Sequence, residues 1–453
     1  MPASSESPAP TLRGSYSYAS ITDKIADVVL TRPTHRGWIF GMALAAALTV
    51  VFLIAVSYLF ARGVGIWGVN EPVAWAFALT NFVWWVGIGH AGTFISAFLL
   101  LLRQPWRTSI NRFAEAMTIF AVAMAGLMPI LHLGRPWFFY WLLPYPDIMN
   151  VWPQWRSPLV WDIFAIGTYI IVSILFWYMG LIPDLATLRD RARERWKQIG
   201  YGLLALGWRG EARHWQRFDT AYLLMAGLAT PLVISVHSVV SLDFAIGNTP
   251  GWHSTIFPPY FVSGALYSGF AMALTIAIPL RAVFGLHDFI TARHLNNIAK
   301  LMLLCGLLVV YSYAMETFMA FYSGDRYAIF MVNNRMAGPY APIYWLVILC
   351  NVVVAQALWL ARVRANVPLL FAIAVVINIG MWLERFMIIV TSLHRDFLPS
   401  AWGMFYPTFW DLATLAGSLG AFALLFLLFV RFLPAISISE MRRLVRAKTG
   451  GAM

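Results

Sequence analysis

Residues 38–60 read WIFGMALAAALTVVFLIAVSYLF, an apolar run without one charged side chain. About 20 such residues, wound as a helix, cross the roughly 30 Å hydrocarbon core of a bilayer. Runs of this scale recur at 74–101, 112–133, 158–180, 219–246, 259–284, 297–322, 341–363, 368–393 and 407–432. Composition agrees: of 453 residues 60% are hydrophobic and 11% charged, against about 25% charged in an ordinary soluble domain, and mean hydropathy is +0.70. Transmembrane β-barrels show short alternating segments instead of continuous runs. The sequence therefore predicts an all-α integral membrane protein of about ten transmembrane helices.

Topology follows from charge. Ten crossings put both termini on one side, and 25 Lys and Arg residues fall on that side, against six on the other and Arg385 inside a helix. By the positive-inside rule both termini are cytoplasmic. Anionic headgroups and topology account for the +12 formal charge, so nothing calls for nucleic acid. The N-terminal stretch MPASSESPAPTLRGSYSYAS lacks the apolar core of a signal peptide. It reads as a flexible tail, or as a segment ordered by a partner. Residues 184–197 (DLATLRDRARERWK) read as a cytoplasmic surface helix. Cys305 and Cys350 lie alone in apolar runs, which excludes a disulfide framework, an iron–sulfur cluster and a CxxCH haem attachment carried by this chain.

A shift of 184 residues aligns Arg112–His132 with Asn296–Glu316, and Pro158-x-x-Trp161 with Pro342-x-x-Trp345. Helices two to five and six to nine thus form two related four-helix bundles, a parallel repeat with an even number of crossings per unit. Two flanking helices complete the chain. The predicted division is a cytoplasmic tail (1–37), a flanking helix with a periplasmic loop (38–73), the first bundle (74–246), the second bundle (247–393), and the last helix with a basic cytoplasmic tail (394–453).

Ionisable side chains in hydrocarbon cost several kcal/mol unless they meet a partner or water, so each is a functional candidate. His132, Asp162, His237 and Asp243 fall at the expected periplasmic ends of helices three, four and five, with Arg135 beside them. His beside carboxylate suits quinol oxidation, which needs acceptors for two hydroxyls and bases for two protons. Trp137, Phe138 and Trp161 are placed to hold a ring. In the competing reading, His132 and Arg135 snorkel at the interface and Asp162 caps its helix. Deeper groups outline a proton route: His90 and Glu115 in the first bundle, Glu316, Glu384 and Arg385 in the second. Interhelical hydrogen bonds that staple the bundle are the alternative, and for Glu384 and Arg385 a structural ion pair.

The duplicated bundles, the GHAGTF helix (89–94), the HLGRPWFFYW segment (132–141), the SPLVWD that follows it (157–162) and the Trp-rich helices resemble the NrfD/polysulfide reductase membrane-subunit family. Ten helices and a long N-terminal tail are most similar to the quinol-binding membrane subunits of bacterial alternative complex III. The resemblance implies a bacterial inner-membrane protein that binds quinol (menaquinol or ubiquinol) as substrate at the periplasmic end of the first bundle, with His132 and Asp162 at the site. It implies that the chain binds no haem or iron–sulfur cluster itself and passes electrons to an iron–sulfur, molybdopterin-like peripheral subunit. Multihaem and monohaem cytochrome c subunits and a homologous second membrane subunit would complete the complex. Three other readings stay open: the sister membrane subunit of that complex, the quinone-reactive anchor of a molybdopterin oxidoreductase, and a secondary transporter.

Overall fold

The computed structural model describes residues 11–142 and 155–449. Among the described residues ten helices are long and apolar enough to cross a membrane, one for each predicted run. They are α2 (Arg36–Arg62), α3 (Phe77–Leu101), α4 (Asn111–His132), α5 (Pro158–Arg191), α7 (Ala212–Ala245), α8 (Phe257–Val283), α9 (Ala292–Tyr322), α11 (Ala341–Trp359), α12 (Val367–Leu393) and α13 (Phe409–Phe432). Shorter helices flank or connect them, among these α1 (Tyr18–Leu30), α6 (Arg195–Leu204), α10 (Arg326–Ala337) and α14 (Ile438–Thr449).

Helices α3, α4, α5 and α7 pack each on the next in a closed ring, and α8, α9, α11 and α12 form a second. The rings meet along α3 and α8, the two most enclosed spans. Small residues permit the close approach. A Cβ on Gly269 of α8 would stand 2.5 Å from Ala91 Cβ of α3, and one on Gly92 of α3 would stand 2.2 Å from Ala114 O of α4. Interhelical hydrogen bonds add to this packing: Trp382 Nε1 donates to Asn81 Oδ1 at 2.8 Å, and Trp85 Nε1 to Ser418 Oγ at 3.1 Å. Helix α2 pairs with α13 outside the rings, and α13 packs against α3 and α4.

Both described termini lie at one end of the bundle, where α1 packs on α13 and α14. Here the flexible-tail reading needs correction. Ser17 and Ser20 form a capping box, and Ile21, Ile25 and Val29 bury one stripe of α1. Lys24 Nζ and Tyr16 Oη donate to Asp288 Oδ2 at 2.5 and 2.7 Å, which holds the Asp288 carboxyl below its ordinary value. Residues 1–10 lie outside the described residues. A second correction concerns 184–197. Residues 184–191 continue α5 past Pro183, because Asp184, Leu185 and Leu188 are buried, and the separate surface helix begins only at Arg195.

Candidate functional site

At the end of the bundle opposite the termini, three helices present ionisable side chains. α4 stops at His132 because Gly134, at φ 68°, takes the left-handed conformation that ends a helix cheaply. α5 starts on Pro158, a residue whose fixed φ suits a first turn, and Asp162 follows one turn later. Asp243 sits in the last turn of α7. Asp162 is buried and Asp243 half-buried, and their carboxyl groups face each other within hydrogen-bonding range. No N–H or O–H of another described residue reaches Asp162 Oδ1 or Asp243 Oδ1. Only a protonated carboxyl can donate to a carboxylate, so the two can hydrogen-bond to each other only when one of them carries a proton.

His132 is half-buried and turns its ring edge to Trp75, with centroids 6.1 Å apart. Trp75 stacks on Trp252 at 6.4 Å and 5°, and Trp252 Nε1 donates to Ile388 O at 2.9 Å. The second ring of helices thus fixes the aromatic wall beside His132. No hydrogen bond or ion pair joins His132 to Asp162 among the described residues. Arg135, Trp137, Phe138 and Trp161 are exposed on the same rim.

His237 does not join that rim. It lies deeper on α7, fully buried, with its ring 4.9 Å from that of His90 on α3. His90 Nδ1 lies 2.6 Å from Val86 O. A carbonyl can only accept, so Nδ1 carries the hydrogen and Nε2 is left as a lone pair. His90 Nε2 and both ring nitrogens of His237 are buried without a hydrogen-bond partner among the described residues. Tyr169 stacks on His90 at 5.0 Å, and its hydroxyl meets Thr93 Oγ1 at 2.8 Å. Just beyond Thr93, α3 widens into a π-helical turn over Phe94–Phe98, a distortion that often accompanies functional sites.

Glu115 belongs to a paired cluster at the termini-bearing end. It accepts from Arg112 Nη1 at 2.8 Å and from Tyr222 Oη at 3.0 Å. Arg112 also donates to Gly180 O at 2.7 Å and lies 3.5 Å from Asp184. In the second ring, Glu316 pairs with Arg335 at 2.6 Å, while Glu384 receives the Tyr313 hydroxyl and contacts Arg385 at 3.1 Å. Asn351, in a second π-helical turn at Ile348–Val353, donates to Tyr313 Oη at 3.0 Å and to Glu384 at 3.4 Å. The Arg385 guanidinium covers the Phe261 ring at 4.2 Å, and Phe261 lies 5.8 Å from His237.

Sequence reading missed Arg112 and Arg335, which counting by loops treats as topology signals, Asp184, which it placed in a surface helix, and also Tyr169 and Tyr222. Spacing held a signal for Arg112 alone, whose place three residues before Glu115 puts both on one helix face.

The family model described as "Polysulphide reductase, NrfD" matches residues 65–395. That span holds both rings of helices and every candidate residue above, and the chain belongs to this family. A putative membrane subunit of a dimethyl sulfoxide reductase from Halobacterium salinarum is 27% identical over 246 residues. The match covers 54% of this chain and 51% of the relative, so the chain spans about half the length of the curated protein it matches.

Proposed function

We propose that this chain is the quinol-binding membrane subunit of a quinol-oxidising complex, of the ActC type in alternative complex III. Quinol would bind at the rim formed by α4, α5 and α7. Oxidation releases two protons and two electrons: the protons pass to the Asp162–Asp243 pair and His132, the electrons to an iron–sulfur partner subunit and then to cytochrome c subunits. The observation that carries the reading is the carboxyl pair under an aromatic rim. Buried acid oxygens without protein donors are costly to keep, and a hydroxyl donor from a substrate is the partner they lack.

The charge asymmetry supports an inner-membrane protein with the rim facing the periplasm. The His90–His237 pair supports proton movement into the bundle, since an orphaned imidazole staples nothing. Glu115 and Glu316 are satisfied ion-pair members and fit the stapling role better. Glu384 is bound by Tyr313 and Asn351, and it joins Arg385 in the ion pair that the sequence offered as the alternative to a relay.

A second reading has its own support. The named relative is a reductase subunit, which favours a quinone-reactive anchor of a molybdopterin oxidoreductase. The subunits that copurify with the chain separate the two. A photoreactive quinol analogue, crosslinked in native membranes and mapped by mass spectrometry, tests the site common to both. Labels on the ends of α4, α5 and α7 are expected, and labels confined to the termini-bearing end would overturn the proposal.

A further inference from the structure

On the termini-bearing half of the molecule, α2, α8 and α13 leave an apolar groove of about 510 Å³, lined among others by Gly41, Leu44, Pro279, Leu419 and Phe426. Its volume is in the range of small-ligand sites, roughly 300–1,000 Å³. Trp38, Val283 and Phe284 line both the groove and a smaller pocket at its end, whose walls include Arg32, His35 and Arg431. No acidic residue lines either cavity.

The two arginines are positioned without being neutralised. Arg32 Nη1 donates to Phe284 O at 2.5 Å, and Arg431 Nη1 to Val29 O at 3.1 Å. Both acceptors are carbonyls, and neither arginine has an ion pair among the described residues. His35 caps α2 through Nδ1, which accepts from Gly37 N at 3.0 Å. The positive end of a 27-residue helix therefore adds to the same spot. Uncompensated guanidinium groups suit a phosphate, whose oxygens accept charge-assisted hydrogen bonds from them. The groove they crown is apolar and long. We propose that this is a binding site for an anionic phospholipid, with one acyl chain along α2 and α13 and the phosphate held by Arg32, His35 and Arg431. A quinol tail is a poorer fit, because an uncharged headgroup has no use for two unpaired cations.

The test uses the complex purified in mild detergent, exchanged into nanodiscs of phosphatidylcholine with a minority of phosphatidylglycerol, and analysed by native mass spectrometry. Wild type is expected to retain phosphatidylglycerol, and the Arg32→Gln/Arg431→Gln double variant to retain at least tenfold less. Gly41→Leu closes the groove from inside, since an added Cβ meets only Leu427 Cδ1 at 3.5 Å. It should lose the lipid with both arginines intact. Retention at the wild-type level in both variants would overturn the site. So would displacement of the lipid by inorganic phosphate alone, or a crosslink from Gly41→Cys to a helix of another subunit.

Discussion

The imidazoles of His90 and His237 meet edge to face, 4.9 Å apart, at the centre of the first ring of helices. Three of their four ring nitrogens have no protein partner among the described residues. Unsatisfied buried groups cost about 1–3 kcal/mol each, so nothing in the packing explains their presence. His237→Phe should fold with wild-type thermal stability or better. Proton translocation per quinol, read with a pH dye in proteoliposomes of the complex, should fall at least tenfold. Unchanged translocation would make the pair structural.

Arg112 should behave in the opposite way. It bridges Glu115, Asp184 and the Gly180 carbonyl from a fully buried position. Arg112→Leu strands two buried carboxyl groups, and breaking such a pair costs about 3–5 kcal/mol. Thermal unfolding in detergent should show a clear loss of stability. Glu115→Gln, which keeps an acceptor for Tyr222, should lose less.

How much of this the sequence revealed depends on range. All ten spans could be read, because a crossing is decided by 20 consecutive residues and needs no knowledge of neighbours. So could the rim positions of His132, Asp162 and Asp243, which follow from counting to a helix end. The partnership of His237 was not legible. Its sequence distance from Asp243 placed it with the rim, but helix rotation and the approach of α3 give it to His90. Asp184 looked like part of a surface helix, because its partners Arg112 and Ser439 are remote in the chain.

Close packing gives another expectation. A Cβ at Gly92 would clash with the Ala114 carbonyl at 2.2 Å and Thr118 Oγ1 at 2.3 Å, and backbone cannot swing away. Gly92→Ala should force α3 and α4 apart and destabilise by about 1–3 kcal/mol. Gly126→Ala, which meets nothing within 4 Å, should be neutral in the same melting assay.

One pH effect is expected outside the spans. Burial lowers the His394 imidazole to about 4, from an ordinary value near 6.5, with Arg395 adding to the shift. Its Nδ1 lies 3.0 Å from Thr391 O and its Nε2 3.4 Å from Asn334 Nδ2, an arrangement for the neutral ring. The unfolded chain takes up a proton below about pH 6.5 and the folded chain only near 4, so stability falls as pH drops through that window. His394→Gln should flatten the change in melting temperature between pH 7 and 4.5. An identical slope in both proteins would remove His394 as its source.

In the proposed mechanism Asp162 and Asp243 together take protons from quinol. Single-turnover quinol oxidation by the assembled complex tests it, with assembly checked by the copurifying subunits. Asp162→Asn and Asp243→Asn should each slow the reaction by about 10²–10⁴-fold, the usual contribution of acid–base catalysis. Their double variant should be little slower than either alone, because the two act as one unit. Rates within twofold of wild type in both single variants would contradict the claim.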